Sequence, residues 1–124
     1  MTCHDYQRLS TELLRRRLPS GDWSGHLAPS AVSTATAAIS LALAAPDRHA
    51  KTIAAACQWL ADTQLADGAW GDTPESPPNL TASLLGYAAL AHADADSPAA
   101  TRARTYLTAR LGGFSPAAIR AAIL

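Results

Sequence analysis

Trp59-Leu60-Ala61-Asp62-Thr63-Gln64-Leu65-Ala66-Asp67-Gly68-Ala69-Trp70 reads as a helix end, a tight turn and an aromatic lid. The last turn of a helix leaves backbone carbonyls without partners. Gly68 can take the left-handed conformation that reverses the chain there, with Asp67 a natural turn neighbour. Gln64 offers both a donor and an acceptor, so its amide can reach carbonyls of one helix and amides of the next. Trp70 has a broad face to cover that amide and the aliphatic side chains beside it. All of these roles are structural.

A weaker copy of these surroundings lies 47 positions earlier. Trp70 falls over Trp23, Gly68 over Gly21, and Thr81-Ala82-Ser83 over Thr34-Ala35-Thr36; Leu90 falls over Leu43. The same shift forward sets Trp59-Leu60 over Tyr106-Leu107. One unit thus repeats about two and a half times, and a fixed period of this length marks stacked helical hairpins.

Composition agrees. Of 124 residues, 29 are alanine and one is phenylalanine, so helix is favoured at little side-chain entropy cost and helix axes can approach closely. Alternation of valine, isoleucine and threonine is missing, which leaves an all-α reading. Ten basic and ten acidic residues cancel, so no basic stripe is on offer to a nucleic acid. Arg15-Arg16-Arg17 is the one local excess, read as cations at a helix C-terminus. Cys3 and Cys57 are too few and too far apart for a metal knuckle or redox pair, and read as buried thiols in a reducing compartment. The N-terminus carries charges without an apolar h-region and is not a signal peptide. No apolar run is long enough to span a bilayer.

Six helices follow from the spacing. The first covers residues 3 to 18, with Tyr6, Leu9 and Leu13 on one face, and Pro19-Ser20-Gly21 stops it. Ser30 caps the second, which ends near Ala45 before Pro46. The third runs from about 48 to 65, with Ile53, Ala56, Cys57 and Leu60 on one stripe. Asn79 caps the fourth, Asp96 or Ser97 the fifth just ahead of Pro98, and Gly112-Gly113 closes it. Ser115-Pro116 opens a sixth that runs to the last residue, Leu124.

Trp59-Leu60-x3-Gln64-x3-Gly68-x-Trp70 resembles the QW motif of the triterpene cyclases, the squalene–hopene and oxidosqualene cyclases. Gly21-Asp22-Trp23-Ser24-Gly25-His26-Leu27 with Ser30, Ser33, Thr34, Ala35 and Thr36 is similar to the N-terminal region of their bacterial members. The resemblance covers most of the chain from about Leu14 onward, yet only the opening fifth or so of a complete cyclase. It implies an α/α toroid of alternating inner and outer helices, of which residues 1–124 would be a single partial domain with no active site of its own. It also implies an isomerase-type cyclisation of a squalene-like isoprenoid, begun by proton donation from an Asp-x-Asp-Asp acid and sustained by aromatic faces. A cytoplasmic location follows, peripheral to the inner membrane face in the full-length enzyme, as does hopanoid synthesis without metal or other cofactor.

Asp94-Ala95-Asp96-Ser97 is the near match to the acid motif, and it departs at the last position. Its place just ahead of a helix reads as an N-terminal cap, so no catalytic residue is carried over. His4, His26, His49 and His92 are scattered without the i, i+4 pairing that aims two imidazoles at a metal; His26 reads as a turn-stabilising hydrogen-bond partner. Ser30, Ser33, Thr34 and Thr36 read as local hydrogen-bonding groups rather than nucleophiles. Pro74, Pro77 and Pro78 stiffen the long turn around a solvated Glu75, and no phosphate-binding fingerprint occurs.

The leading reading is therefore an N-terminal scaffold segment of a squalene–hopene-type cyclase, inactive alone. A non-catalytic helical-repeat interaction module derived from a cyclase is the alternative. A protein prenyltransferase β-subunit ranks last, because the chain offers no Asp, Cys and His set for its zinc. Two and a half hairpins cannot close a ring, so the last inner helices are expected to expose an apolar flank and to favour self-association.

Overall fold

A computed structural model describes residues 3–123, with the side chain of Cys3 left undescribed. It contains six helices and, among the described residues, no strand: α1 (Cys3–Arg15), α2 (Ala31–Ala44), α3 (Pro46–Asp62), α4 (Leu80–Asp94), α5 (Pro98–Leu111) and α6 (Pro116–Ile123). The all-α expectation and the helix count hold. α2 packs on α3 and α4, α4 on α3 and α5, and α6 on the end of α5.

Small side chains make the core. Ala31, Ala35 and Ala38 form one buried stripe on α2, and Ala82, Ser83, Gly86, Ala89 and Leu90 face them from α4. Ala99, Ala100, Ala103 and Leu107 continue the buried surface on α5. Stripes this narrow fit helices whose backbones come close, and two large side chains, Leu60 and Trp70, fill the space at the end of α3.

The caps explain the boundaries. Ser30, Asn79 and Ser97 each accept a backbone N–H from the first turn of the helix that follows, respectively from Ser33, Ala82 and Ala100. Ser97, not Asp96, caps α5; Asp94 accepts the Asp96 N–H at 3.0 Å and shapes the turn before it. Gly112 closes α5 at φ +68°.

Three boundaries differ from the expected ones. α3 begins at Pro46 rather than residue 48, because proline at the first position needs no N–H partner. It ends at Asp62, so Gln64 lies beyond the helix. α1 ends at Arg15 rather than residue 18, because the Leu18 N–H is taken by the Asp22 carbonyl at 2.8 Å. Apolar side chains are exposed at both ends of the described chain: Tyr6, Leu9, Leu13, Leu14, Leu18, Trp23 and Leu27 in α1 and the turn after it, and Ile123 on α6, which buries none of its residues. The face of α5 is buried, whereas Leu43 on α2 is exposed as well. Cys57 is half-buried rather than buried, and partial desolvation pushes its thiol pKa up.

Candidate functional site

After α3 the chain makes a closed corner. The Gly68 N–H donates to the Leu65 carbonyl and the Leu65 N–H to the Ala69 carbonyl, both at 2.9 Å, while Asp67 accepts the Ala69 N–H. Gly68 sits at φ +92°, in the left-handed region where a side chain is strained. Its backbone also lies on α5: a Cβ there would stand 2.6 Å from the Arg102 carbonyl oxygen. Glycine is required twice over, once by the turn and once by the neighbouring helix.

Gln64 joins the corner to α5. Its side-chain nitrogen donates to the Gly68 carbonyl at 2.9 Å and to the Ala99 carbonyl, in the first turn of α5, at 3.0 Å. Its oxygen accepts from Arg102 Nε at 2.9 Å and Nη2 at 2.5 Å. The acceptor half therefore meets a guanidinium, not the helix amides expected from sequence. One amide thus ties the loop to two points a turn apart on α5.

Trp70 ties the same corner to α4. It is 1% exposed, and its indole Nε1 donates to the Leu60 carbonyl at 2.8 Å, closing back onto α3. The Trp70 N–H donates to the Ser83 hydroxyl at 3.0 Å, and that hydroxyl donates to Asn79 O at 2.7 Å. The Asn79 N–H donates to the Trp70 carbonyl at 2.8 Å, and its Nδ2 to Asp72 at 3.0 Å. The indole fits because Gly86 faces it: a Cβ there would lie 2.8 Å from Cε3 of the ring.

Sequence reasoning identified Trp59, Leu60, Gln64, Gly68 and Trp70, and the structure gathers them around one helix junction. Trp59 is half-buried against the core, and its carbonyl accepts the Thr63 N–H and hydroxyl. Arg102, Ser83 and Gly86 were missed. Gly86 had a legible signal, because glycine inside an exposed helix costs about 1 kcal/mol relative to alanine and so points to close packing. Arg102 is 38 residues away from Gln64 and had none.

The earlier copy reproduces the backbone turn, the indole bond and the side-chain bond to the glycine carbonyl, without the moorings; in place of the Asp67 bond to the Ala69 N–H, Ser20 donates its hydroxyl to Asp22. Gly21 also sits at φ +92°, its N–H donating to Leu18 O at 2.9 Å. Trp23 Nε1 donates to Leu13 O at 2.7 Å, as Trp70 does to Leu60. Arg17 stands where Gln64 stands, its Nε donating to Gly21 O at 2.7 Å, and its guanidinium lies over the Trp23 ring at 5.7 Å. Yet Trp23 is 47% exposed. Ile39 occupies the position of Gly86, so α2 has no slot for the indole. His26 is exposed and makes no hydrogen bond among the described residues, so Trp23 and Arg17 hold this turn instead.

Charges elsewhere are local. Glu12 accepts from Arg15 and Arg16 at 2.7–2.8 Å, and these hydrogen bonds, Arg15 first, lower its pKa to about 2. A groove of about 380 Å³ between α3 and the α4–α5 joint is lined by Cys57, Ala61, Leu90 and Ala99, with Asp94 and Arg102 among its polar residues. No cluster of three His, Cys, Asp or Glu side chains able to hold a metal occurs among the described residues. No described helix is long and apolar enough to cross a membrane.

Helical hairpins turned by one Gln–Gly–Trp corner and one Arg–Gly–Trp corner are consistent with a fragment of an α/α toroid. The family model described as the squalene-hopene cyclase N-terminal domain matches residues 6–123, and the chain belongs to that family. No curated protein and no solved structure matches it.

Proposed function

We propose that this chain is the scaffold of a squalene–hopene-type cyclase, a segment that holds helical hairpins in register while other parts of the enzyme supply the acid. The observation that carries this reading is the pair of ties made by Gln64 to Ala99 and Arg102 across 35 and 38 residues. They connect hairpins to one another and leave Gln64 no free group to offer a substrate. Asp94 and Asp96 support it as well. Both are exposed at the α4–α5 joint, and an acid that protonates an alkene must keep its proton in an apolar, water-poor pocket.

On this reading the complete enzyme takes a squalene-like isoprenoid at an inner membrane face and converts it to a polycycle by isomerisation, in hopanoid synthesis. The chain alone is inactive. Incubation of the purified chain with squalene is the test. No polycyclic product is expected, and cyclised triterpene from this chain would overturn the scaffold assignment. Translation of the DNA beyond Leu124 separates the enzyme reading from a stand-alone interaction module. Further Gln–Trp corners and an Asp-x-Asp-Asp stretch support the enzyme; an immediate stop supports the module.

A further inference from the structure

The two corners share four bonds, the two backbone bonds of the turn, the indole bond and the side-chain bond to the glycine carbonyl, but differ in what they touch. The second is seated on α5, with Gly68 against the Arg102 carbonyl and the Gln64 amide on Ala99 O. Moved back by the 47-residue period, those two seats are Ala55 and Thr52 on α3. Both residues are exposed, and the three heavy atoms nearest to a Cβ on Gly21 all belong to the Arg17 side chain rather than to a neighbouring helix. A formed corner and a matching, vacant helix face thus lie in the same chain.

We propose that the first corner closes onto α3 in cis, with Gly21 over Ala55 and the Arg17 guanidinium donating to the Thr52 carbonyl. The residue exchange between the copies supports this pairing. Gln64 spends its two N–H groups on carbonyls and has an oxygen left over, which Arg102 fills. Arg17 carries five donors and no acceptor. Its Nε is committed to Gly21 O, so the terminal nitrogens are left for a second carbonyl, and a cation opposite would be repelled. The position equivalent to Arg102 holds Ala55, which is small and neutral. Glutamine opposite arginine corresponds to arginine opposite alanine, which keeps donors facing acceptors in both; the cations on that face of α3, Arg48 and Lys51, lie one turn before Thr52 and Ala55 and are exposed to solvent.

Closure in cis is favoured by tethering, which places the corner at an effective concentration in the millimolar range. The closed corner keeps its indole stacked on Arg17, because Ile39 denies it the slot that Gly86 provides in the second copy. Closure moors α1 to the bundle and extends the clamp by one hairpin.

The test is a nuclear Overhauser contact between the Gly21 α-protons and the Ala55 methyl in the full chain. It is expected in the parent protein, lost in Ala55→Arg, and regained, to the residue 55 side chain, in the double variant Arg17→Gln with Ala55→Arg. Position 55 is exposed and arginine is a good helix former, so unchanged helical circular dichroism certifies that Ala55→Arg is folded. Three results would overturn the proposal. They are no contact in the parent protein, contact only between differently labelled copies, or a double variant that stays open.

Discussion

Replacing Gly68 by alanine tests the corner most sharply when it is paired with Gly112→Ala. Both glycines have positive φ, +92° and +68°, so both alanines incur a left-handed penalty of about 1–2 kcal/mol. Nothing lies within 4 Å of a Cβ at Gly112, so that penalty is the whole cost there. At Gly68 the added carbon would stand 2.6 Å from the Arg102 carbonyl oxygen and 2.9 Å from its carbon. Helix backbone cannot swing aside as a side-chain tip can, so α5 must shift, at a further ~1–3 kcal/mol for overpacking. The expected totals are about 2–5 kcal/mol for Gly68→Ala and about 1–2 kcal/mol for Gly112→Ala. Against a stability of roughly 5–15 kcal/mol, the first is severe. Urea unfolding followed by tryptophan fluorescence gives both values, with slopes checked for equality. Equal losses at the two sites would refute the claim that Gly68 is pressed against α5.

Trp70→Ala removes a buried ring and is expected to cost about 3–5 kcal/mol in the same assay, whereas Trp23→Ala, at a half-exposed ring, costs well under half of that. Trp70→Phe keeps much of the packing but strands the Leu60 carbonyl, for about 1–3 kcal/mol. Glu12 gives the pH prediction. Its folded pKa lies below the ordinary 4.5, so its ion pairs are fully formed above that value and are lost as pH falls through about 2. A carboxyl titration by NMR should show a midpoint near the lower figure, and Arg15→Gln should raise it.

The second corner was legible because its determinants are close together: a helix end, a glycine at the reversal and an aromatic two residues on. Its moorings were less so. Arg102 and Ala99 meet Gln64 only after two helices and a long turn have been placed, and no local pattern encodes that meeting. The first corner shows the same limit from the other side. Gly21 and Trp23 predicted the turn, and the turn is there with matching bonds. Trp23 is exposed where α2 carries Ile39, sixteen positions on, at the place of Gly86 in the second copy. The end of α1 departs from the helical spacing for a related reason. Helical spacing continues through Leu14 and Leu18, but the Asp22 carbonyl captures the Leu18 N–H and ends the helix.

The central claim is that a side-chain amide fastens one hairpin to the next, and the coupling between Gln64 and Arg102 measures it directly. Four proteins are needed: the parent, Gln64→Leu, Arg102→Leu and the double variant, each unfolded in urea. A fastening bond predicts that the two losses overlap, with an interaction energy of about 1–2 kcal/mol. Losses that simply add would contradict it.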